Sequence, residues 1–408
     1  MKVKHYDFKT AFLNGEIEEE LYMEQPQGYV KKGKEHLVCR LKKSLYGLKQ
    51  SARAWNVKIN GMLLKLGFSR SKADQCLYTK CSQNRWMYVL TYVDDLLIFD
   101  EDEDEIFQLG QALSQEFHMK DLGDIALYLG IQVDRQEDGG FLLCQSAKIA
   151  SLLSKYGMID AKGASIPMDT SYLKLTGEDD LLPNNELYRE AVGALLYVAT
   201  TTRQDIAAAM SILCRRVGNP RQRDWTTLKQ VMRYLKQTID VKLEISGSAE
   251  NSLIGYVDAD WGGDTSDRKS TSGYLFKLGN NSISWSSKIQ ASVALSSTEA
   301  EYISAAHACQ ELLWLRQLLA EIGEQITGPT TLFEDNQGCI KLANNDKGSA
   351  RTKHIDIRYH HLRDLTERNI IELVYCETNN MIADALTKPL SKQKLDELKI
   401  MIGLKDMG

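Results

Sequence analysis

The sequence predicts a multidomain protein of mixed α/β and α+β class, and three observations support that prediction. Its 408 residues are enough for two to four domains of roughly 100–200 residues each. Short apolar runs typical of strands occur before residue 145 and again after Ser252, whereas apolar residues between these regions recur at helical spacing. Hydrophobic residues make up 43% and charged residues 26% of the chain, which is typical of ordinary globular proteins.

The first predicted domain, residues 1–145, mixes short strands and helices around two hairpins. Apolar, aromatic-rich runs at Trp86–Tyr92 and Leu96–Phe99 predict the first hairpin. The runs Leu127–Val133 and Gly140–Cys144 predict the second, with polar residues and a glycine between them. We therefore expect antiparallel strand pairs in this part of the chain.

The rest of the chain divides into a helical zone, an α/β domain and a tail. Residues 146–245 are predicted to be mostly helical, and the small, polar segment Ser246–Asn251 favours a boundary. Residues 252–390 follow the order strand, hairpin, long helix, strand and further helices, which predicts an α/β domain. Residues 391–408 are expected to form a C-terminal tail. The helices predicted in the helical zone are Tyr188–Thr200, Ile206–Arg215 and Trp225–Gln237.

Composition argues against several classes of protein. No run of about 18 apolar residues marks a membrane span, and Met1–Asp7 lacks the apolar region of a secretory signal. The eight cysteines form no C-x-x-C pair and no zinc-binding spacing. Such scattered thiols suit a reducing compartment. Because the sequence shows no apolar span, we expect no membrane among the partners.

Local charge favours a polyanionic partner, although the net charge is −5. Lys31–Lys72 contains twelve Lys and Arg against Glu35, and Arg215–Lys236 contains seven against Asp224. Basic stretches of this kind can neutralise phosphates whatever the total charge. A solvated basic face explains them equally well when nothing else is considered.

The pair Asp94-Asp95 lies at the tip of the first predicted hairpin, between hydrophobic flanks. Hairpin tips usually carry Gly or Asn, and adjacent carboxylates repel each other unless cations lie between them. Hard divalent cations such as Mg²⁺ prefer these oxygen ligands. The dipeptide alone is nevertheless more typical of a polar turn.

A second set of acids lies at element ends in the α/β domain. Asp258 and Asp260 end a predicted strand and share one face of it, Asp335 follows another strand, and Asp384 begins the last helical stretch. Acids at the ends of neighbouring strands cluster only if metals offset their repulsion. Two metals about 3.5–4 Å apart can cut a phosphodiester by activating water and holding the leaving oxygen.

Two glutamates at the start of the long predicted helix have a competing structural role. Glu299 and Glu301 follow Ser296 and Thr298 by three residues each, so both fit the capping-box pattern. On spacing alone, capping is the more usual role for either glutamate.

These acids lie within sequence motifs that follow one another along the chain. The first four are Asp7 to Gly15, Ser44 to Trp55, Tyr92-Val93-Asp94-Asp95 and Ala126 to Ile131. They resemble the successive motifs of the reverse transcriptase in copia-type LTR retrotransposon Pol polyproteins. The later motifs are Tyr256–Trp261, Asp267–Tyr274, Ser296–Tyr302, Glu334–Gly338, Lys353–Ile357 and Ile382–Lys388. They are similar to the ribonuclease H segment of the same polyproteins, so the resemblance covers nearly the whole chain.

The resemblance implies a reverse transcriptase palm, a helical thumb and connection, and a ribonuclease H-like α/β domain. Asp7 and Asp94 would bind two Mg²⁺ ions, with Asp95 assisting, for in-line phosphoryl transfer. The implied nucleotide-binding residues are Phe8, through its carbonyl, together with Phe12, Tyr46 and Gly47. The Phe12 ring would crowd a 2′-hydroxyl, although a core aromatic is nearly as good an explanation.

For the ribonuclease H segment, the resemblance implies that four acids bind metal. They are Asp258, Glu301, Asp335 and Asp384, with two Mg²⁺ ions per site and Mn²⁺ as a substitute. Glu301 fits the family pattern better than Glu299, and the two lie about 200° apart on a helix, so only one should face the metals.

The implied partners are an RNA template, a DNA primer, RNA–DNA hybrids and deoxynucleoside triphosphates; the oligomeric state is left open. The implied location is a cytoplasmic virus-like particle, with nuclear import as a further step. Two hypotheses follow: an RNA-directed DNA polymerase with ribonuclease H activity, or a non-catalytic, decayed element fragment that only binds nucleic acid.

Two departures from the family affect these expectations. Relatives carry well over a hundred residues before the Asp7 motif, including basic fingers residues, so we expect the fingers to be absent and polymerisation by the isolated chain to be poor. Robust extension of oligo(dT) on poly(rA) that vanishes in Asp94→Asn would contradict this. The family's usual histidine before the last acid is missing from Cys376–Ala383. His354, His360 and His361 lie upstream and are expected on a helix surface.

Overall fold

The computed structural model describes residues 1–174, 179–247, 251–344 and 356–407, with the backbone alone for 356–360. The chain forms two compact units. The first comprises Met1–Ala126 and Gln317–Gln325, and the second comprises Leu127–Arg316 and Ile326–Gly408. Both units combine sheets with helices, which confirms the predicted α/β and α+β class. Within the described ranges, no helix has the length and apolar character needed to cross a bilayer. Lys353, His354 and Ile355, which belong to one of the sequence motifs, lie outside these ranges.

The first unit is built on a six-stranded sheet. Its strands and main helices are β1 (Lys2–Phe8), β2 (Tyr22–Glu24), β3 (Val38–Arg40), α1 (Ser51–Lys65), β4 (Ser69–Arg70), β5 (Leu77–Ser82), β6 (Arg85–Tyr92), β7 (Asp95–Asp100), α2 (Glu103–Ser114) and β8 (Met119–Asp124). The sheet order is β4-β5-β6-β7-β1-β8, while β2 and β3 form a separate pair. The predicted first hairpin is therefore confirmed as β6–β7, and β1 lies between β7 and the edge strand β8.

Helix α1 packs one face against this sheet. Trp55, Ile59 and Leu63 recur every four residues and are all buried, which is the spacing of a core-facing helical stripe. The Phe8 ring of β1 meets Trp55 edge-on, with centroids 4.9 Å apart. This packing fixes the end of β1, where Asp7 lies.

The second unit contains two five-stranded sheets and most of the helices. Its elements are β9 (Leu127–Tyr128), β10 (Ile131–Arg135), β11 (Phe141–Cys144), α3 (Ser146–Lys155), α4 (Glu186–Thr201), α5 (Ala207–Cys214), α6 (Gln222–Gln237), β12 (Val241–Ile245), β13 (Leu253–Asp260), β14 (Thr271–Leu278), β15 (Asn281–Ile289), α7 (Ser297–Glu321), β16 (Thr330–Glu334), α8 (Gln337–Asn344), α9 (Asp356–Glu367), β17 (Ile371–Tyr375), α10 (Asp384–Thr387), α11 (Lys392–Met401) and β18 (Leu404–Asp406). The last residues of α7 belong to the first unit.

The first sheet of this unit has the order β18-β12-β11-β10-β9. It contains the second predicted hairpin, as β10–β11. Its edge strand β18 pairs with β12, with Leu404 opposite Leu243. Ile402 and Leu404 are buried beside Val241 and Leu243. The residues expected to form a tail therefore carry a helix and a paired strand.

The predicted helices of the middle zone are present as α4, α5 and α6, with ends shifted by up to three residues. Their shared core includes Leu195, Ile212 and Val231. A buried ion pair joins Arg203 and Asp205, with Arg203 Nη2 2.7 Å from Asp205 Oδ2. The two residues lie in the segment between α4 and α5, and both side chains are almost completely buried.

The second sheet has the order β15-β14-β13-β16-β17. The central strand β13 runs parallel to β16 and antiparallel to β14. Because β13 and β16 are parallel neighbours, their carboxyl ends lie at the same edge of the sheet. Asp258 lies near the end of β13 and Asp335 directly follows β16, so this topology brings two distant acids to one edge.

Candidate functional site

Three predicted acids meet at the carboxyl edge of the second sheet. Asp258, Glu301 and Asp335 each offer a ligand oxygen, and these oxygens all lie within 4.8 Å of one another. We call these three residues the acidic cluster. In the portions of the chain that the structure describes, they are the one group of three or more His, Cys, Asp or Glu residues this close. Asp260 lies two residues beyond Asp258 and is not a member.

The backbone around the acidic cluster is held by side-chain hydrogen bonds. Ser304 lies one turn after Glu301 on α7, and its Oγ donates to the Asp258 carbonyl oxygen at 2.8 Å. The same hydroxyl lies 3.4 Å from the carbonyl oxygen of Gly273 on β14. Ser304 thus ties the helix that carries Glu301 to the strand that carries Asp258.

Glu299 and Glu301 have different environments. The Glu299 carboxylate accepts a hydrogen bond from the Leu295 amide at 2.8 Å, and the Glu299 amide donates to Ser296 Oγ at 3.2 Å. These bonds satisfy amide donors at the start of α7. Glu301 Oε2, in contrast, is buried and has no hydrogen-bond partner in the described part of the chain. The structure therefore places Glu299 at the helix cap and Glu301 in the acidic cluster.

The fourth predicted acid, Asp384, reaches this region from α10. Lys388 Nζ lies 2.6 Å from Asp384 Oδ1 and 3.8 Å from Asp258 Oδ2. Thr387 Oγ1 donates a short hydrogen bond to Asp258 Oδ2. Asp384 is thus linked to Asp258 through a shared lysine, although its oxygens are not among those within 4.8 Å of one another.

Glu334 is a neighbouring acid that sequence reasoning missed. It is completely buried, and its Oε1 accepts from the Asn336 amide at 3.0 Å. Its Oε2 has no hydrogen-bond partner among the residues that the structure describes. The strand pattern indicates that Glu334 is buried, because Thr330, Leu332 and Glu334 occupy alternate positions along β16 and share its buried face. Lys388 was also missed, although it lies four residues after Asp384 and directly follows α10.

Burial and mutual repulsion raise the pKa of several carboxyls in this region, which favours their protonated form when no cation is present. Burial raises the pKa of Asp258 to about 7, against the opposing effect of Lys388. Burial, followed by the nearby Glu334, raises the pKa of Glu301 to about 12. Burial also raises the pKa of Glu334 well above its usual range. Burial alone would lower the pKa of Lys388, but Asp258 and Asp384 raise it above its ordinary value.

These features fit a hard divalent cation. The donor set consists of carboxylate oxygens, which Mg²⁺ and Mn²⁺ prefer over soft ligands. Among the described residues, the buried oxygens Glu301 Oε2 and Glu334 Oε2 have no hydrogen-bond partner, and buried polar atoms without partners require an explanation. A cation at the acidic cluster would satisfy such an oxygen and offset the repulsion among the acids.

The other predicted acids lie in the first unit. Asp7 on β1 is the register partner of Asp95 on β7, and the Phe8 amide donates to the Asp94 carbonyl oxygen at 2.7 Å. His5 Nε2 lies 2.8 Å from Asp95 Oδ1. The structure brings the three aspartates to one end of β1 and β7, with Asp95 contacted by a buried histidine.

The hairpin tip that carries Asp94 has a constrained backbone conformation and a hydrogen bond from Trp55. Val93 has φ +54°, which is costly for a β-branched residue and persists only where the surroundings impose it. Trp55 Nε1 donates to the Val93 carbonyl oxygen at 2.8 Å. Burial raises the pKa of Asp94, a hydrogen bond from Tyr46 lowers it, and Asp7 and Asp95 raise it further.

Of the predicted nucleotide-binding residues, Phe8 and Tyr46 contact Asp94, and Phe12 packs against Tyr46. The Tyr46 hydroxyl donates to Asp94 Oδ2 at 3.2 Å, and its ring lies 4.8 Å from that of Phe12 at an angle of 50°. Tyr46 is half exposed, and Gly47 has φ +94°, a backbone conformation that favours glycine. The Phe8 ring is buried in the core, so its side chain faces away from any ligand.

Comparison with known proteins shows similarity along the whole chain. Residues 1–170 match the family described as reverse transcriptase (RNA-dependent DNA polymerase). The chain is 40% identical to the Retrovirus-related Pol polyprotein from transposon TNT 1-94 of Nicotiana tabacum, over 99% of this chain and 31% of that protein. It is 39% identical to the corresponding polyprotein from transposon RE2 of Arabidopsis thaliana, over 98% of this chain and 28% of that protein.

A shorter relative is matched over its full length. The chain is 32% identical to the transposon Ty5-1 protein of Saccharomyces cerevisiae, over 75% of this chain and 100% of that protein. The chain spans less than a third of the length of the two polyproteins. Among solved structures, LC11-RNase H1 isolated from compost matches 36% of this chain and 97% of its own, with 13% identity and a TM-score of 0.28.

Proposed function

Because the chain belongs to the copia-type LTR retrotransposon Pol polyprotein family, we propose that it cleaves the RNA strand of RNA–DNA hybrids at Asp258, Glu301, Asp335 and Asp384. The observation that carries this proposal is the acidic cluster, whose ligand oxygens lie within 4.8 Å of one another. Acids from two parallel strands and a helix meet there. Their carboxylates repel one another, and bound cations would remove that repulsion.

These four acids are the residues that would hold two Mg²⁺ ions, or Mn²⁺ in their place. Bound there, divalent ions supply an activated water and stabilise charge on the phosphodiester oxygens. The protein's own contribution is to fix the acids before substrate arrives. Thr387 orients Asp258 through its hydroxyl, and Ser304 holds the Asp258 backbone. The low exposure of Asp258 and Glu301, 3% and 5%, keeps the carboxylates poorly hydrated and so strengthens their attraction for cations.

RNA-directed DNA synthesis is the second activity we propose, and it is favoured by the match of residues 1–170 to the reverse transcriptase family. Asp7 and Asp94 would hold the ions, and Asp95 is positioned by His5. The Tyr46 hydroxyl contacts Asp94 and the Phe12 ring packs against the Tyr46 ring, and both rings would contact a deoxynucleoside triphosphate. An RNA template and a DNA primer would be the other substrates.

A cleavage assay tests the first activity. The substrate is end-labelled RNA annealed to DNA, and single-stranded RNA and duplex DNA serve as substrate controls. We expect cleavage of the hybrid in Mg²⁺, none after chelation, and a loss of at least about 100-fold in Asp258→Asn, since even loss of a residue that only orients a metal ligand costs about 10–100-fold.

Glu299→Gln is the matched control, because it also neutralises a buried glutamate on α7 and can still accept from the Leu295 amide. We expect it to cleave at close to the wild-type rate. Hybrid binding without cleavage by the wild-type chain would contradict the proposal and favour a non-catalytic fragment. Equal cleavage by wild type and Asp258→Asn would show that another site is responsible.

A further inference from the structure

Lys388 lies among the acids of the proposed metal site, and no step proposed above uses it. Its Nζ contacts two of the four acids, at 2.6 Å from Asp384 Oδ1 and 3.8 Å from Asp258 Oδ2. Its side chain is 36% exposed, whereas those of Asp258 and Asp384 are 4% and 5% exposed. The lysine therefore lies between buried carboxylates and solvent.

The backbone that carries Lys388 is firmly anchored. All four residues of α10 are buried. A Cβ added to Gly273, the register partner of Asp258 on β14, would lie 2.7 Å from Thr387 Cγ2 and 3.0 Å from Leu386 Cβ. The helix thus packs directly on the strand, and Thr387 bonds to Asp258. Only rotation of its own side chain can move the Lys388 ammonium away from the acids.

The ammonium and a divalent ion would compete for the same oxygens. A carboxylate oxygen that is bonded to the Lys388 ammonium is less available to coordinate a metal ion. In addition, the +1 charge of the ammonium repels a divalent ion at close range. Filling the Asp258–Asp384 side of the site therefore requires that Lys388 move toward solvent. Its partial exposure leaves room for that movement.

We propose that Lys388 is a resident counter-ion of the site, which a divalent ion displaces from Asp384 and Asp258, and which thereby sets the Mg²⁺ or Mn²⁺ concentration at which the site fills. This inference rests on the proposed function in that it concerns the same four acids. It assigns Lys388 as a positioning residue, because it acts through the carboxylates and not on the substrate.

Direct measurement of Mn²⁺ binding by the full chain, without nucleic acid, tests this role. Unbound Mn²⁺ is followed by electron paramagnetic resonance in wild type, Lys388→Met, Lys388→Arg and Lys392→Met. We expect Lys388→Met to bind Mn²⁺ about tenfold more tightly, because a nearby positive charge is removed while the length of the side chain is kept. Lys388→Arg should stay close to wild type. Lys392→Met, which removes an exposed lysine four residues away, should bind as wild type does.

Unchanged or weaker Mn²⁺ binding by Lys388→Met would overturn the inference while leaving the proposed function standing. No saturable binding by wild type, with Asp258→Asn behaving identically, would overturn the proposed function itself. Should Lys388→Met fail to fold, wild type with ¹³C-methylated lysines gives an independent readout. The Lys388 resonance, identified by its loss in Lys388→Arg, should shift as Mg²⁺ binds, and a resonance that stays fixed at saturation would overturn the inference.

Discussion

At the scale of single residues, Glu299 and Glu301 take different roles because a helix turns their side chains to different sides. Glu299 reaches back to the Leu295 amide, whereas Glu301 enters the acidic cluster with a buried oxygen that no other described residue contacts through a hydrogen bond. The motif containing both could be located from sequence. Their division of roles depends on where α7 begins relative to the sheet, and the family pattern supplied only a preference for Glu301.

Replacing Glu301 with glutamine should reduce hybrid cleavage by at least about 100-fold, since it removes one of the clustered carboxylates. Glu299→Gln should stay within a few-fold of wild type. Initial rates on the labelled hybrid at saturating Mg²⁺ provide the comparison. The reverse result, with cleavage lost in Glu299→Gln and kept in Glu301→Gln, would assign the metal-binding role to the other glutamate.

Asp258 should make the stability of the metal-free protein depend on pH. Burial raises its pKa from 3.8 to about 7; Lys388 and Thr387 lower it, while Asp384 and Asp335 raise it. The folded protein thus retains a proton that the unfolded chain releases. The resulting stability is fully present below about pH 3.8 and is lost as the pH rises through about 7.

Urea unfolding in the presence of a chelator measures this effect. The unfolding free energy of wild type minus that of Asp258→Asn should fall as the pH rises through this window, and Mg²⁺ should restore the wild-type stability by binding the charged form. A difference that is flat or that rises with pH would contradict the assignment.

At the scale of elements, the spacing of apolar residues predicted the helices and the hairpin that are formed by residues close together in the sequence. The hairpin β6–β7 and helices α4, α5 and α6 follow from apolar spacing, because neighbouring residues determine which face is buried. The pairing of β18 with β12 joins residues about 160 positions apart, so no local pattern indicated it. The same reason explains why His5 beside Asp95, and Lys388 beside Asp258, were not anticipated: both contacts depend on register or packing between distant segments.

The close packing of α10 on β14 makes Gly273 a sensitive position. Gly273→Ala should destabilise the protein by about 1–3 kcal/mol, because the added methyl overpacks a filled contact, and it should also reduce hybrid cleavage by displacing Asp384 and Thr387. Thermal unfolding and cleavage rates on the same preparation test both effects.

Gly193→Ala is the matched control for this substitution. Gly193 lies inside α4 with nothing within 4 Å of an added Cβ, so alanine there should stabilise the protein by about 0.5–1 kcal/mol. If Gly273→Ala were as stable and as active as wild type, α10 would not be held against β14 as the structure indicates.

At the scale of the whole molecule, the two acidic sites belong to different compact units. Asp7, Asp94 and Asp95 take their contacts from the first unit, including His5 and Tyr46. The acidic cluster and Lys388 take theirs from the second. The order of motifs made this division predictable from sequence, because each set of acids falls within its own stretch of chain.

The two sites should therefore respond independently to substitution. Asp94→Asn should leave hybrid cleavage within about twofold of wild type, since the two sites belong to different compact units and share no residue. Asp258→Asn should abolish cleavage. Parallel assays of both variants on one hybrid substrate test this, and a large loss of cleavage in Asp94→Asn would show that the two sites are coupled.

The location of bound metal tests the central claim most directly. Crystals grown in Mn²⁺ would show, by anomalous scattering, where the chain holds divalent ions. We expect peaks in contact with the carboxylates of Asp258, Glu301, Asp335 and Asp384, and their loss in Asp258→Asn. Ordered Mn²⁺ elsewhere in the protein, with none at the acidic cluster at saturating concentration, would contradict the assignment of these acids as a metal site for hybrid cleavage.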